Sequence, residues 1–233
     1  IITTGYSITG TDAGKYTLTQ PTLSADITAK GLTITGLTGD NKVYDDTTAA
    51  AATGTEALSG IIGADDVSLG GSPVYTFASA NVGTGITMTT SGYTISGTDS
   101  GNYTLTQPTL SADITAKGLT ITGITGSDKV YDDTTAAAAT GTEALSGIIG
   151  ADDVSLGGSP VYTFATSNVG TGITIITTGY SITGTDAGKY TLTQPTLSAD
   201  ITAKGLTITG LTGDNKVYDD TTAAAATGTE ALS

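Results

Sequence analysis

The side chains able to do chemistry are few, and their types already narrow the field. The 233-residue chain holds 22 Asp and Glu against 8 Lys and Arg, with no His and no Cys. Without imidazole or thiol there is no Ser-His-Asp triad, no thiolate nucleophile and no His or Cys metal site, so most hydrolase and zinc chemistry is excluded. The remaining candidates are carboxylates, hydroxyls and a few amines. Asp45-Asp46 and Asp65-Asp66 are adjacent acid pairs, but consecutive residues on a strand point to opposite faces, so each pair could act together only in a loop. They read as solvated turn residues.

Calcium is the one cofactor whose donor chemistry the composition supplies, because hard cations take carboxylate and carbonyl oxygens. The local patterns do not support it. GTDSGNY at Gly97 to Tyr103 lacks the acid spacing of an EF-hand, and GADDVSLGG at Gly63 to Gly71 does not match the nonapeptide of calcium β-rolls. An intramolecular Lys-Asn or Lys-Asp cross-link would draw on Lys30, Lys117 and Lys204, Asn81 and Asn168, with Glu56 or Glu143 as the assisting acid. No spacing favours it. Tyr44, Tyr75, Tyr93 and Tyr103 sit at strand positions, where a ring fills a core and its hydroxyl reaches the edge. The reading therefore assigns no catalytic, cofactor-binding or metal-ligating residue.

The elements that carry these residues recur. ITAKGLTITG begins at Ile27, Ile114 and Ile201, and VYDDTTAAAATGTEALS at Val43, Val130 and Val217, 87 residues apart each time. Residues 31–117 and 118–204 differ at only twelve positions, such as Leu37 against Ile124 and Met88 against Ile175. Residues 1–59 equal 175–233 throughout. The expected organisation is 1–30 as the C-terminal part of a module, 31–117 and 118–204 as complete modules, and 205–233 as the N-terminal part of another. Such ends are expected of a window cut from a longer array.

Within one module, residues 31–117 place eight acids against Lys42 and Lys117, a net charge of −6. With so little positive charge there is no patch to neutralise phosphates, so nucleic acid and anionic membranes are not expected as partners, nor is membrane insertion of this stretch. The charge reads as protection against sticking between near-identical neighbours.

Abundant Thr, Gly, Ser, Ile and Val indicate strands. LTIT at Leu32 alternates apolar and polar. Further strands are expected at Lys42 to Tyr44, Val67 to Leu69, Val74 to Phe77, Ile86 to Met88, Tyr93 to Ile95, Tyr103 to Leu105 and Leu110 to Ala116. Turns are expected at Gly39 to Asn41, Gly60, Gly63 and Gly70-Gly71. The alanine run after Thr48 is too short and too interrupted for a helix and is read as extended. The pattern points to an all-β fold: tandem β-sandwich-like modules stacked end to end in an elongated rod. SADITAKGLTITG joins them without a Pro-rich or Ser-rich spacer.

KVYDDTTAAAATGT at Lys42 to Thr55, repeated from Lys129 and Lys216, resembles the YDG-type repeat of bacterial surface proteins. GTDSGNYTL and PTLSADITAKGLTITG are similar to its closing half. Related modules, including the MBG type, occur in long arrays in filamentous-haemagglutinin-like adhesins. One departure is that Asp46, Asp133 and Asp220 stand where the naming glycine belongs; aspartate is among the few residues that tolerate a positive φ there. The resemblance implies an extracellular, cell-surface or secreted-matrix location and a structural stalk or spacer role for a non-enzyme. Partners would be neighbouring modules of the same chain. The alternatives are multivalent carbohydrate-binding modules holding exopolysaccharide or host glycan, and a self-assembling filament in which copies pair with one another.

Overall fold

A computed structural model describes residues 1–233. Its 17 strands come with three single turns of 3-10 helix and no α-helix, as a Thr- and Gly-rich sequence dictates. The chain divides into two units, Ile1–Thr115 and Ala116–Ser233.

The first unit contains β1 (Lys30–Gly39), β2 (Lys42–Val43), β3 (Ala49–Ala50), β4 (Ala52–Ser59), β5 (Ser68–Phe77), β6 (Gly83–Ser96), β7 (Tyr103–Thr106) and β8 (Thr109–Thr115). They form two sheets, ordered β4-β1-β7 and β2-β8-β6-β5-β3, the two layers of a sandwich. The alanine run is extended, as expected: it supplies β3 and the start of β4. Alternation places Leu32 and Ile34 of β1 inside, and the second sheet contributes Phe77, Met88 and Ile114. Leu32, Met88 and Ile114 are completely buried, and each such side chain contributes roughly 2 kcal/mol. The chain passes between sheets at short turns closed by side chains. At the crossing from β1 to β2, Asn41 Oδ1 accepts from the Asp113 amide at 2.7 Å, and within the second sheet Asp113 Oδ1 accepts from the Gly85 amide at 2.7 Å.

Two expected breaks are absent. Val67–Leu69 and Val74–Phe77 belong to the single strand β5, and Ile86–Met88 and Tyr93–Ile95 to the single strand β6. Gly70-Gly71 is not a turn but part of a bulge: between the pairs Gly71–Tyr93 and Val74–Ser91, three steps on β5 face two on β6. Gly71 and Gly92 both have positive φ, 102° and 92°. The bulge shifts the alternation by one, so Met88 and Thr90 are buried before it and Tyr93 after it. A bulge at Gly36 and Gly54 does the same between β1 and β4.

The second unit repeats this plan with β9 (Lys117–Gly126), β10 (Lys129–Val130), β11 (Ala139–Ser146), β12 (Ser155–Phe164), β13 (Gly170–Thr183), β14 (Tyr190–Thr193) and β15 (Thr196–Thr202). The sheets are β11-β9-β14 and β10-β15-β13-β12. Phe164, Ile175, Ala199 and Ile201 form its core, with Tyr131 and Tyr162 packed against them. A last hairpin pairs β16 (Ile208–Gly213) with β17 (Ala226–Leu232).

Candidate functional site

The densest cluster of charged groups is the KVYDDT turn. After β2 the chain must reverse, and Asp45 fixes the reversal by accepting the Thr47 amide at 2.9 Å and the Thr47 hydroxyl at 2.9 Å. Asp46 then takes φ 63°; Asp133 and Asp220 take 66° and 60°, and no other non-glycine residue has positive φ. The left-handed conformation that the glycine position required is therefore present, with aspartate adopting it.

Lys42 closes the turn from the strand side. Its ammonium donates to Asp45 Oδ1 at 2.6 Å, the Thr47 carbonyl at 2.7 Å, Thr47 Oγ1 at 3.0 Å and the Ala49 carbonyl at 3.0 Å. It also lies 5.8 Å from the Phe77 ring centroid. Three N–H donors facing four oxygens leave none for a ligand. Lys129 repeats the arrangement with Asp132, Thr134 and Ala136. The lysine hydrogen bond holds the Asp45 carboxyl below its ordinary range and, with the Thr134 amide and hydroxyl, brings Asp132 to about 2. This is a fastener, with the amine committed to the oxygens of its own turn.

The second acid pair is also divided between separate tasks. Tyr103 donates its hydroxyl to Asp65 Oδ2 at 2.6 Å and accepts the Ile62 amide at 3.0 Å. Asp66 Oδ2 accepts the Thr98 amide at 3.1 Å, and Asp99 Oδ2 returns the favour to the Asp66 amide at 2.8 Å. The acids tie the loop before β5 to the loop after β6. Asp152, Asp153 and Asp186 do so in the second unit, where Lys189, replacing Asn102, adds an ion pair to Asp186 at 2.8 Å.

No three acids converge on a point where they could hold a metal ion. The cross-link candidates are not brought together either. Lys30, Lys204, Asn81, Asn168, Glu56 and Glu143 are exposed and Lys117 is half-buried, so no buried acid stands beside an amine and an amide.

The tyrosines meet in the sandwich. Tyr75 and Tyr93 share a hydrogen bond at 2.7 Å, and Gln107 clamps the Tyr93 backbone through both its amide and its carbonyl. Burial, then the bond to Tyr75, pushes the Tyr93 phenol up; Tyr180 is raised in the same way. A shallow groove of about 460 Å³ lies outside this pair, lined by Glu56, Gly70, Pro73 and Tyr93. Every tyrosine of the two complete modules is buried or half-buried, so within those modules no fully exposed ring stands ready to stack on a sugar.

Sequence reasoning missed Lys42 and Gln107, because half of the lysine's acceptors and both partners of the glutamine are backbone groups that no residue type announces. It also missed the bulge glycines, although a glycine inside a strand pattern is the signal for one.

The family model described as the YDG domain matches residues 28–110 and again residues 115–197. No curated protein and no solved structure matches the chain.

Proposed function

We propose that this chain, which belongs to the YDG domain family, is a spacer: a run of stiff β modules in the extracellular part of a bacterial surface adhesin or matrix fibre, holding an adhesive region away from the cell. The observation that supports this most directly is the connection between modules. β8 ends at Thr115 and β9 begins at Lys117, so a single residue, Ala116, joins two strands whose backbones are committed to different sheets. Such a link has little slack. Within each module most aspartates, with Lys42 or Lys129, are spent on turns and loop ties, which suits a part that must keep its shape under load.

A filamentous-haemagglutinin-like setting and a kinship with MBG-type modules belong to the same proposal. They rest on the likeness of KVYDDTTAAAATGT to repeats found there. The acidic surface favours solubility and disfavours nucleic acid and anionic lipid.

Small-angle scattering of the chain tests the spacer reading. A compact fold of this length would have a radius of gyration of about 17 Å. Two modules in line, each roughly 40 Å long from strands rising about 3.3 Å per residue, give roughly 25 Å before the terminal stretches add to it. A narrow distribution near the larger value supports the spacer; the smaller value, or a broad distribution, sinks it. Retention of the chain on exopolysaccharide would move the reading to a binding module.

A further inference from the structure

Of the asparagines Asn41, Asn81, Asn102, Asn168 and Asn215, only Asn102 is followed two places later by a hydroxyl residue, in Asn102-Tyr103-Thr104. That is the N-x-Thr acceptor pattern for N-linked sugar, which carries weight only on an accessible segment. Asn102 is exposed at the end of the 3-10 turn Ser100–Asn102, and Thr104 is exposed on β7. Tyr103 between them is 6% exposed and extended, with φ −129° and ψ 155°. Across an extended residue the flanking side chains share a face. The amide and the hydroxyl therefore both face outward while the ring anchors the segment in the core.

The segment is held while its outer groups stay free. The Asn102 backbone amide donates to the Asp99 carbonyl at 3.0 Å and Tyr103 is tied to Asp65, which fixes the main chain and leaves the Asn102 side chain unbonded. Asn41, by contrast, spends its side-chain carbonyl on the Asp113 amide. β7 is also an edge: in the order β4-β1-β7 it pairs with β1 alone, so no strand covers its other side. Edge strands need protection from foreign strands, and lysine is a common means of supplying it. In the second unit Lys189 stands at the equivalent place ahead of the edge strand β14, ion-paired with Asp186 at 2.8 Å. Asn102 brings no such charge to β7.

We propose that Asn102 is an N-glycosylation site, taking its sugar from a glycosyl diphosphate donor, and that the glycan protects the edge of β7 as lysine protects that of β14. The amide nitrogen bonds to the anomeric carbon of the sugar while the bond from that carbon to the donor oxygen breaks. The diphosphate leaves with the electron pair, and the amide gives up one proton to it. What remains is a bulky, hydrated group beside the open edge. Because the position reads Lys15, Asn102, Lys189 along the chain, the sugar falls on the first complete module and not on the second. This inference does not depend on the spacer reading.

The test is mass spectrometry of peptides from the chain purified from the cells that naturally make it. The peptide holding Asn102 should carry a sugar, and those holding Asn41, Asn81, Asn168 and Asn215 should not. Thr104→Val, at an exposed strand position, should abolish the modification, whereas Thr104→Ser should keep it. Lys189→Asn places in the second unit the residue that the first already accommodates, completes the acceptor pattern there, and should raise the number of modified sites from one to two. A bare Asn102 in the wild type overturns the proposal. So does a sugar that survives Thr104→Val, or a Lys189→Asn chain that gains none.

Discussion

At Asp46, Asp133 and Asp220 the backbone is left-handed, φ 60° to 66°, a conformation that costs an ordinary L-residue roughly 1–2 kcal/mol. Aspartate lowers the cost by bonding locally, and here its Oδ1 also accepts the Tyr44 hydroxyl at 3.2 Å. Alanine offers neither compensation. Asp46→Ala with Asp133→Ala is expected to destabilise each complete module by about 1 kcal/mol. Glycine relaxes the backbone but loses the tyrosine bond and adds chain entropy, so Asp46→Gly with Asp133→Gly should change stability by less than about 1 kcal/mol. Urea midpoints at constant slope would check the order; glycine falling below alanine would show that the carboxylate matters more than φ. The tolerance of aspartate for this position was readable from the motif. The lysine that locks the same turn was not, since two of its four acceptors are the carbonyls of Thr47 and Ala49.

Paired glycines shape the long strands. A Cβ on Gly92 would lie 2.3 Å from the Ser72 carbonyl oxygen, and one on Gly71 would lie 2.1 Å from the Gly92 carbonyl oxygen. Backbone must move to admit either, and φ is positive at both. Gly92→Ala with Gly179→Ala should therefore cost at least about 2 kcal/mol per module. Gly101→Ala with Gly188→Ala, where a Cβ meets nothing within 4 Å, should stay within about 0.5 kcal/mol. Thermal melts of the two double variants would separate them, and equal losses would contradict the bulge account. The same glycines mark where sequence reading stopped. Period-two alternation located the strand segments correctly, including the extended alanine run. A bulge reverses the phase of that alternation, so one bulged strand reads as two short ones with a Gly-Gly turn between them. The Asp65 and Asp66 ties were hidden for a related reason: Tyr103 and Thr98 lie more than thirty residues away along the chain.

Across the whole chain the 87-residue recurrence was the clearest signal, because it needs no structural inference, and the two family matches follow it. Each unit draws its buried residues from its own strands: Leu32, Phe77 and Ile114 in one, Leu119, Phe164 and Ile201 in the other. Separate interiors imply separate unfolding. Pulling the chain by its ends in a single-molecule instrument tests this most directly. An 87-residue module extended at about 3.5 Å per residue, less roughly 40 Å of folded length, should release about 260 Å. Two such steps at similar force are expected from the two complete modules; one step of about twice that length, or gradual lengthening without steps, would contradict the account.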